Sequence, residues 1–377
     1  MKVLVCVPCL LTGGTEIQTL SLVDALVAAG HKVIVTCYFE YAEPMVQRFI
    51  NAGATVELLR PDGLRPVGVK NTLKQLWKGL RQVVCRHSPD MAHVQYMAPG
   101  ALPIFVFRVL GIKKIIATVH TPADIYSSLK LLHWLNNHIL TAFQCITLKA
   151  EQSFFGSATL FSKDTKLDKH GNHFTIYNNL PSYIEIAETP RKGSPKVIGV
   201  VSRLESIKGM DLVVPAFVKI YSNHPDLKLL IVGDGSQRQL MEQQLKDAEL
   251  PIGSVQFVGR QGQDNLQSYY DRIDILLMPS RSEGFGLTAI EGMARGCVPV
   301  VSNTGGLPEV VEDRISGLLH EPESGDDIVT KIESIIDNQR TFEMLSLGAY
   351  NRAHDFSKSL YNRQIAALYD KVSQKYG

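Results

Sequence analysis

The residues most able to do chemistry lie in a glycine-rich loop between two carboxylates. Glu283 and Glu291 have seven residues between them, and Gly284 and Gly286 lie inside that interval. The loop follows the apolar run Ile275–Met278 and opens a helical pattern near Gly286. Glycines let the backbone approach a ligand closely, and the free N–H groups at a helix start attract phosphate. The pattern therefore predicts a phosphate-binding turn with an acid on each side.

The two acids suit hydroxyl groups, because a carboxylate accepts several hydrogen bonds. We expect Glu291 to grip a ribose diol and Glu283 to bind hydroxyls of a sugar. The alternative is that Glu291 is a surface residue of the helix and that Glu283 interacts with the helix dipole.

Two cations follow the first apolar run of the second half of the chain. Arg203 and Lys208 lie in Val201-Ser202-Arg203-Leu204-Glu205-Ser206-Ile207-Lys208-Gly209-Met210-Asp211. Fixed cations can offset the charge that a departing nucleoside diphosphate gains. Arg offers a fork to phosphate oxygens, whereas Lys acts as a point charge. The alternative is a pair of ordinary surface charges.

These segments together resemble glycosyltransferase family 4. The interval from Glu283 to Glu291 is similar to the family's E-x7-E motif, and residues 296–309 resemble the continuation of that motif. The segment with Arg203 and Lys208 is similar to its G-R-L-x3-K-G-x-D motif, with Ser202 in place of the usual Gly. Gly13-Gly14-Thr15-Glu16 resembles its G-G-x-E turn. The resemblance spans nearly the whole chain and is strongest over residues 200–312.

The resemblance implies a set of site residues. It places His120 near the reacting sugar, the amides of the first glycine turn near donor phosphate or acceptor, and the segment Gln256–Arg260 near the nucleotide base. Catalytic roles fall to Glu283, His120, Arg203 and Lys208. The donor-binding residues it implies are Gly13, Gly14, Arg203, Lys208, Gly233, Val258, Arg260, Gly284, Phe285, Gly286, Leu287, Thr288 and Glu291.

The resemblance also implies an activity. The expected reaction is retaining transfer of a hexose-type sugar from a UDP-, GDP- or other nucleoside-diphosphate sugar to a hydroxyl of a lipid-linked or saccharide acceptor, in cell-envelope or surface polysaccharide or glycolipid synthesis. No cofactor and no metal are expected, since no Asp-x-Asp segment suggests a metal site. A nucleotide-sugar epimerase and a non-catalytic nucleotide-sugar-binding protein remain alternatives. An NAD-dependent oxidoreductase would need G-x-G-x-x-G after a first strand, which neither half shows.

The periodicity predicts an α/β protein. Short apolar runs alternate with amphipathic helices, which is typical of parallel sheets covered on both faces. We predict two doubly wound, Rossmann-like domains, over residues 1–180 and 181–355, facing across a cleft as in the GT-B fold. The boundary falls in the Pro- and Gly-rich Leu180–Pro195. The helical pattern over residues 356–377 is expected to pack back on the first domain. Among the shorter segments we predict strands at Gln144–Leu148 and Ala158–Phe161.

Composition and charge bear on location and partners. The formal net charge is +2, but residues 1–180 contribute 18 Lys and Arg against 11 Asp and Glu, or +7. An anionic partner suits that half, although no dense basic run indicates nucleic acid. The scattered cysteines and the lack of a signal peptide or a long apolar run predict a cytoplasmic protein. Amphipathic helices predicted at Lys70–His87 and Lys130–Phe143 are either core helices or a peripheral contact with the inner face of a membrane.

Overall fold

The chain folds into two compact units, each built on a parallel sheet. The computed structural model describes residues 1–96, 101–121, 123, 126, 128–168 and 171–375. The first unit comprises Met1–Asn179 and the C-terminal residues from Lys358 onward, and the second comprises Leu180–Ser357. The boundary predicted from the sequence lies between residues 180 and 181.

The first unit alternates strands and helices. Its strands are β1 (Lys2–Val7), β2 (Lys32–Cys37), β3 (Thr55–Leu58), β4 (Met91–Gln95), β5 (Lys114–Val119), β6 (Ala142–Cys145) and β7 (His173–Thr175). Its helices are α1 (Gly14–Ala28), α2 (Glu43–Asn51), α3 (Val69–His87), α4 (Ala101–Val109), α5 (Leu129–His138) and α6 (Leu148–Phe155).

The second unit repeats this alternation. Its strands are β8 (Val197–Val201), β9 (Lys228–Val232), β10 (Val255–Gly259), β11 (Ile275–Met278), β12 (Val298–Ser302) and β13 (Leu318–His320). Its helices are α7 (Val213–Asn223), α8 (Arg238–Asp247), α9 (Leu266–Tyr270), α10 (Leu287–Ala294), α11 (Leu307–Val310), α12 (Gly325–Ile336) and α13 (Gln339–His354). The chain then returns to the first unit as α14 (Lys358–Gln374).

Both sheets change direction of strand order once. The first has the order β3-β2-β1-β4-β5-β6-β7, and the second has the order β10-β9-β8-β11-β12-β13. The first strand of each unit therefore lies between two later strands: β1 lies between β2 and β4, and β8 lies between β9 and β11. In open α/β sheets, ligands bind beyond the carboxyl ends of the strands at such a point.

The strands are continuous apolar runs in the sequence because the sheets are buried. In the first unit α3, α4, α5 and α6 share one core cluster with the sheet, and α1 packs against α14. Tyr369 of α14 is buried, and its hydroxyl lies 2.6 Å from His93 Nδ1 in β4. The C-terminal helix is thus part of the first unit's packing, and residues 376 and 377 of the predicted helix lie outside the described residues.

Some predicted elements are wrong in detail. The helix expected over Lys130–Phe143 ends at His138, because Ala142–Cys145 forms β6. The strand expected at Gln144–Leu148 starts earlier, and Leu148 begins α6 after a Thr147 side-chain cap. In place of the strand expected at residues 158–161, Leu160 makes an isolated bridge to Thr175. In the described part of the chain, no helix is both long and apolar enough to cross a membrane.

Candidate active site

The central feature of the second unit is an ion pair between the loops that follow β8 and β11. Lys208 Nζ lies 2.6 Å from Glu283 Oε2. Both side chains are less than one-fifth exposed, so solvent screens the pair less than it screens a surface pair. Because β8 and β11 are the neighbouring strands at the change of strand order, the predicted cation and the predicted acid meet at the edge where a ligand is expected.

A close approach of the two loops fixes the position of Lys208. The 3₁₀ turn Ser206–Lys208 ends at Gly209, which has a φ of 67°. A Cβ atom at Gly209 would lie 2.0 Å from the carbonyl oxygen of Pro279. Gly209 is therefore needed for both its left-handed backbone and its lack of a side chain.

Arg281 joins the same two loops. Its backbone N–H donates to the carbonyl oxygen of Ile207 at 2.9 Å, and its guanidinium makes two hydrogen bonds of 2.8 Å to the carboxylate of Asp211. The hydrogen bonds from Arg281 hold the pKa of Asp211 below its ordinary value. This bidentate pair has the geometry that makes Arg–carboxylate contacts strong, and sequence reasoning did not single it out.

The backbone of Glu283 is held from the opposite side by the turn after β12. The N–H of Gly306 donates to the Glu283 carbonyl oxygen at 3.0 Å. Gly305 has a φ of 55°, and a Cβ atom there would lie 1.8 Å from the same oxygen. This turn belongs to the segment that resembles the continuation of the family motif, and it positions the backbone of Glu283.

The helix after this loop begins with a free electropositive end. Gly286 precedes α10 with a φ of 112°, and the first turn of α10 holds no acidic residue. The N–H groups of Leu287 and Thr288 have no carbonyl one turn earlier in the helix. Such an end favours an anion. The Phe285 side chain is buried, with its ring 5.7 Å from that of Phe356, so only its backbone is positioned to contact a ligand.

Glu291 is neither exposed nor unpaired. Its side chain is buried in α10, and its carboxylate accepts hydrogen bonds from Tyr270 at 2.6 Å and Tyr183 at 2.7 Å. Burial raises its pKa to about 7, although the two phenol hydroxyls oppose that shift. The alternative that Glu291 is a surface residue is therefore wrong. A ribose diol would have to share this carboxylate with the two tyrosines, which the sequence analysis missed.

The other residues expected at the donor are spread along the same edge of the sheet. Arg203 follows β8, and its exposed side chain interacts electrostatically with Glu205. Gly233 follows β9. Val258 lies at a register irregularity in the edge strand β10, and exposed Arg260 comes just after that strand. The described contacts do not join these four residues to the Lys208–Glu283 pair.

A small recess lies beside the paired side chains. Its volume is about 20 Å³, and its lining includes Lys208, Ser280, Glu283 and Thr288. A space of this size holds about one water molecule. A diphosphate would therefore lie at the mouth of the recess, where these side chains can reach it. No group of three or more His, Cys, Asp or Glu residues suited to a metal ion occurs within the described ranges.

The corresponding edge of the first unit is different. Gly13 precedes α1 and Gly14 is its first residue. The carboxylate of Glu16 folds back over Gly13, where an Oε2 atom lies 2.5 Å from the position a Cβ would take. Cys9 Sγ donates to Glu16 Oε1 at 3.2 Å. Because a buried carboxylate already lies at this helix start, we find it poorly suited to phosphate.

His120 follows β5 in the first unit and is buried. Burial lowers its pKa to about 3, so the ring is neutral at physiological pH. Its Nε2 lies 2.8 Å from Gln95 Oε1, which accepts the hydrogen bond and leaves Nδ1 as the acceptor nitrogen. The Tyr96 ring lies 5.0 Å away, and its hydroxyl is 2.6 Å from Thr15 Oγ1. This group of neutral donors and acceptors is suited to binding hydroxyls.

Two known family models match this chain. Residues 183–353 match the family model "Glycosyl transferases group 1", and residues 12–159 match "Glycosyltransferase Family 4". The two models between them cover most of the chain and both units.

Individual relatives and structures extend the comparison. A D-inositol 3-phosphate glycosyltransferase of Corynebacterium kroppenstedtii is 29% identical over 185 residues, which are 48% of this chain and 41% of that protein. A human subunit of phosphatidylinositol N-acetylglucosaminyltransferase is 25% identical over 96% of this chain and 74% of its own. This chain matches less than half the length of several curated relatives, the Corynebacterium kroppenstedtii protein among them. The crystal structure of Anabaena Alr3699/HepE in complex with UDP has a TM-score of 0.79 at 18% identity and covers 98% of this chain and 100% of that one.

Proposed function

This chain belongs to glycosyltransferase family 4 and has the GT-B fold, and we propose that it is a retaining glycosyltransferase that uses a nucleoside-diphosphate sugar. The observation that carries the proposal is the Lys208–Glu283 pair at the change of strand order in the second unit. It supplies a cation for the diphosphate and an acid for the sugar in one place.

The donor's charge is met by three groups of the second unit. The start of α10, the Lys208 ammonium and the Arg203 guanidinium each offer positive charge. As the bond between sugar and diphosphate breaks, negative charge grows on the phosphate, and preorganised donors stabilise that charge most where it develops. Arg203 is exposed, so it is free to close on the phosphate without breaking an existing buried contact.

Transfer takes place on one face of the sugar. The bond from the anomeric carbon to the phosphate oxygen breaks, and a bond from that carbon to the acceptor oxygen forms on the same side. The acceptor's proton passes to the departing phosphate oxygen. Glu283 already pairs with Lys208, and Glu291 is buried between two tyrosines. This supports a mechanism in which neither acid attacks the sugar and in which the protein contributes mainly by positioning.

We propose that the reaction needs no metal, because Lys208 and Arg203 can supply the charge that a divalent ion would. We therefore expect full transfer in EDTA. A strict need for Mg²⁺ or Mn²⁺ would contradict this part of the proposal.

The sugar is expected to be a hexose, and UDP- and GDP-sugars are the first donors to test. The acceptor is a hydroxyl of a saccharide or of a lipid-linked saccharide in envelope or surface polysaccharide synthesis. We place the protein in the cytoplasm, with peripheral contact at the inner face of the membrane.

The test begins with a thermal-shift panel of nucleoside diphosphates and nucleotide sugars. A true donor raises the melting temperature by mass action. The donor that binds is then incubated with hydroxyl acceptors, and NMR of the product reports its anomeric configuration. An inverted product would reject the same-face mechanism. An isomerised sugar formed without acceptor would instead indicate an epimerase, and binding with no product would indicate a non-catalytic protein.

A further inference from the structure

Two ion pairs of opposite direction join the loops that follow β8 and β11. Arg281 lies two positions before Glu283, and Asp211 lies three positions after Lys208. The loop after β8 thus supplies the cation of the Lys208–Glu283 pair and the acid of the Arg281–Asp211 pair. Whatever holds Arg281 on Asp211 therefore also determines how closely the loop of Lys208 lies against the loop of Glu283.

Arg281 contacts the segment of Lys208 on both sides of the lysine. Its backbone N–H donates to the carbonyl oxygen of Ile207 at 2.9 Å, and its guanidinium donates to the carbonyl oxygen of Ser206. Ser206, Ile207 and Lys208 form a single 3₁₀ turn. Arg281 thus holds this turn on the N-terminal side of Lys208 and, through Asp211, the chain on its C-terminal side.

Arg281 also contacts the loops that follow β12 and β13. Its guanidinium pairs with Glu323 after β13, with Nε 2.6 Å from Oε1 and a hydrogen bond of 2.8 Å to Oε2. Its carbonyl oxygen accepts a hydrogen bond of 3.3 Å from the hydroxyl of Thr304, which follows β12. Because β8, β11, β12 and β13 are consecutive in the sheet, one residue connects the loops at the carboxyl ends of four neighbouring strands.

The guanidinium has little left to offer a ligand. Arginine has five N–H donors. Nη1 donates to Ser206 and Asp211, and Nη2 donates to Asp211 and Glu323. The fifth donor is on Nε, which lies beside Glu323, and two carboxylates face the single positive charge. A phosphate could contact Arg281 only if one of these contacts broke, so the side chain is suited to holding other residues in place.

We propose that Arg281 is a positioning residue of the transferase, which acts through Lys208 and contacts neither donor nor acceptor. This role rests on the proposed function, because it assigns the Lys208 ammonium to the donor diphosphate. A misplacement of about 1 Å at a reacting group can cost about 100-fold in rate. By joining the two loops beside the Lys208–Glu283 pair, Arg281 keeps the ammonium at a fixed distance from the phosphate.

A double-mutant cycle tests whether Arg281 acts through Lys208. Arg281→Lys keeps the charge but loses the planar fork that binds Asp211 and Glu323. Its kcat/KM should fall about tenfold to 100-fold, mainly in kcat, because the ammonium matters most as charge develops on the phosphate. In a Lys208→Ala background, the same substitution should change kcat/KM by less than about twofold, since the residue it positions is gone. Asp211→Asn, a milder change to the same pair, should depend on Lys208 in the same way.

The matched control is another arginine–aspartate pair of the second unit. Arg295 Nε lies 2.6 Å from Asp271 Oδ1, and neither residue is among the described residues that line the recess beside Lys208. Arg295→Lys should leave kcat/KM unchanged in both backgrounds. The melting temperature of each variant shows that folded proteins are being compared.

Acetylation with acetic anhydride follows Lys208 without any donor. The paired lysine is only 19% exposed, so it should react slowly in the wild type. Arg281→Lys should speed its acetylation several-fold, because the loop of Lys208 is then held less firmly, and Arg295→Lys should not. Lys219, which is 59% exposed, should react at the same rate in all three proteins. Mass spectrometry of peptides measures each rate.

The two readouts separate this role from the proposed function. Equal losses of kcat/KM from Arg281→Lys in both backgrounds, or unchanged acetylation of Lys208, would overturn the positioning role while transfer by the wild type stood. Failure of the wild type to transfer sugar from any donor would overturn the proposed function. The acetylation rates would then still decide whether Arg281 holds Lys208 in place.

Discussion

In the first unit, β1 and β4 are neighbours and the chain enters α1 after β1; in the second, β8 and β11 are neighbours and the chain enters α10 after β11. Each unit therefore has a helix that begins at the edge where a ligand is expected. The starts of the two helices differ in charge. The first turn of α1 contains buried Glu16, whereas the first turn of α10 contains no acid and lies beside the loop of Lys208.

This difference separates location from chemistry. Strand order determines where a ligand can bind, and the side chains at that edge determine which ligand it is. The carboxylate of Glu16 lies at the start of α1, whereas the groups around His120 are neutral donors and acceptors of the kind that suits hydroxyls. In the second unit Lys208 is paired with Glu283, but the first turn of α10 holds no acid and the Arg203 side chain is exposed. The two glycine turns look alike in the sequence, but the helix starts beside them differ in charge.

The largest expected effect comes from removing the Lys208 ammonium. Lys208→Ala should lower kcat/KM by about 10²–10³, the usual result of losing one fixed donor to developing charge. It also leaves Glu283 without its partner. Transfer from the donor identified in the binding panel measures this loss. The control is Lys219→Ala, which removes a lysine that pairs with exposed Asp326 and should leave kcat/KM unchanged. A Lys208→Ala enzyme with near wild-type activity would mean that the two edges do not differ in function.

The second prediction concerns the buried carboxyl of Glu291. Its pKa is about 7 in the folded protein against an ordinary 4.5, so folding favours the protonated form. Its contribution to stability is complete below pH 4.5 and is lost as the pH rises through 7. The shift corresponds to about 3 kcal/mol at most.

Glu291→Gln removes this titration. The unfolding free energy of the variant, taken relative to the wild type, should therefore rise between about pH 4.5 and pH 8. Thermal unfolding of both proteins across this range measures the difference. Asp247→Asn, at an exposed acid on α8, should show no such trend. A constant difference between Glu291→Gln and the wild type would show that the carboxyl ionises normally.

Much of the fold could be predicted from local sequence. Continuous apolar runs identify buried parallel strands, because both faces of the sheet are covered. The loop glycines and the Lys208 and Glu283 charges were visible as a pattern, and the structure brings the two charged side chains into contact. Boundaries were less accurate: a short apolar run such as residues 139–143 fits a helix end or a strand equally well.

The neighbours of the site could not be predicted, because they come from distant parts of the chain. Tyr183 lies 108 positions before Glu291, and Tyr270 lies 21 before it. Nothing local marks either tyrosine as a partner of a carboxylate. The pairing of Arg281 with Asp211 spans 70 positions and has no local signal either. Such contacts depend on how strands are ordered, which the residues of one segment do not encode.

The third prediction transfers the acid of α1 to α10. Thr288→Asp places a carboxylate in the first turn of α10, where α1 has Glu16. A negative charge there favours the helix itself but repels phosphate, so nucleoside-diphosphate affinity should fall on the order of tenfold. Thr288→Val, which removes the hydroxyl without adding charge, should lose much less. Isothermal titration calorimetry with the preferred nucleoside diphosphate measures both. The converse change, Glu16→Gln, should leave this affinity unchanged, and a loss there would place the phosphate in the first unit after all.

The smallest expected effect belongs to the neutral edge. His120→Gln should lower kcat/KM by about three- to tenfold, because one hydrogen bond between neutral groups typically contributes about 1 kcal/mol. Burial keeps the pKa of His120 near 3, so the ring does not change charge between about pH 5 and pH 8. The ratio of wild-type to His120→Gln activity should therefore stay constant over that range. The control is His138→Gln, at an exposed histidine, and its ratio to the wild type should stay near one. A ratio that changes around pH 6.5, the ordinary pKa of histidine, would show that His120 exchanges a proton during transfer. The first unit would then hold a titrating catalytic group in place of a neutral hydrogen-bonding one.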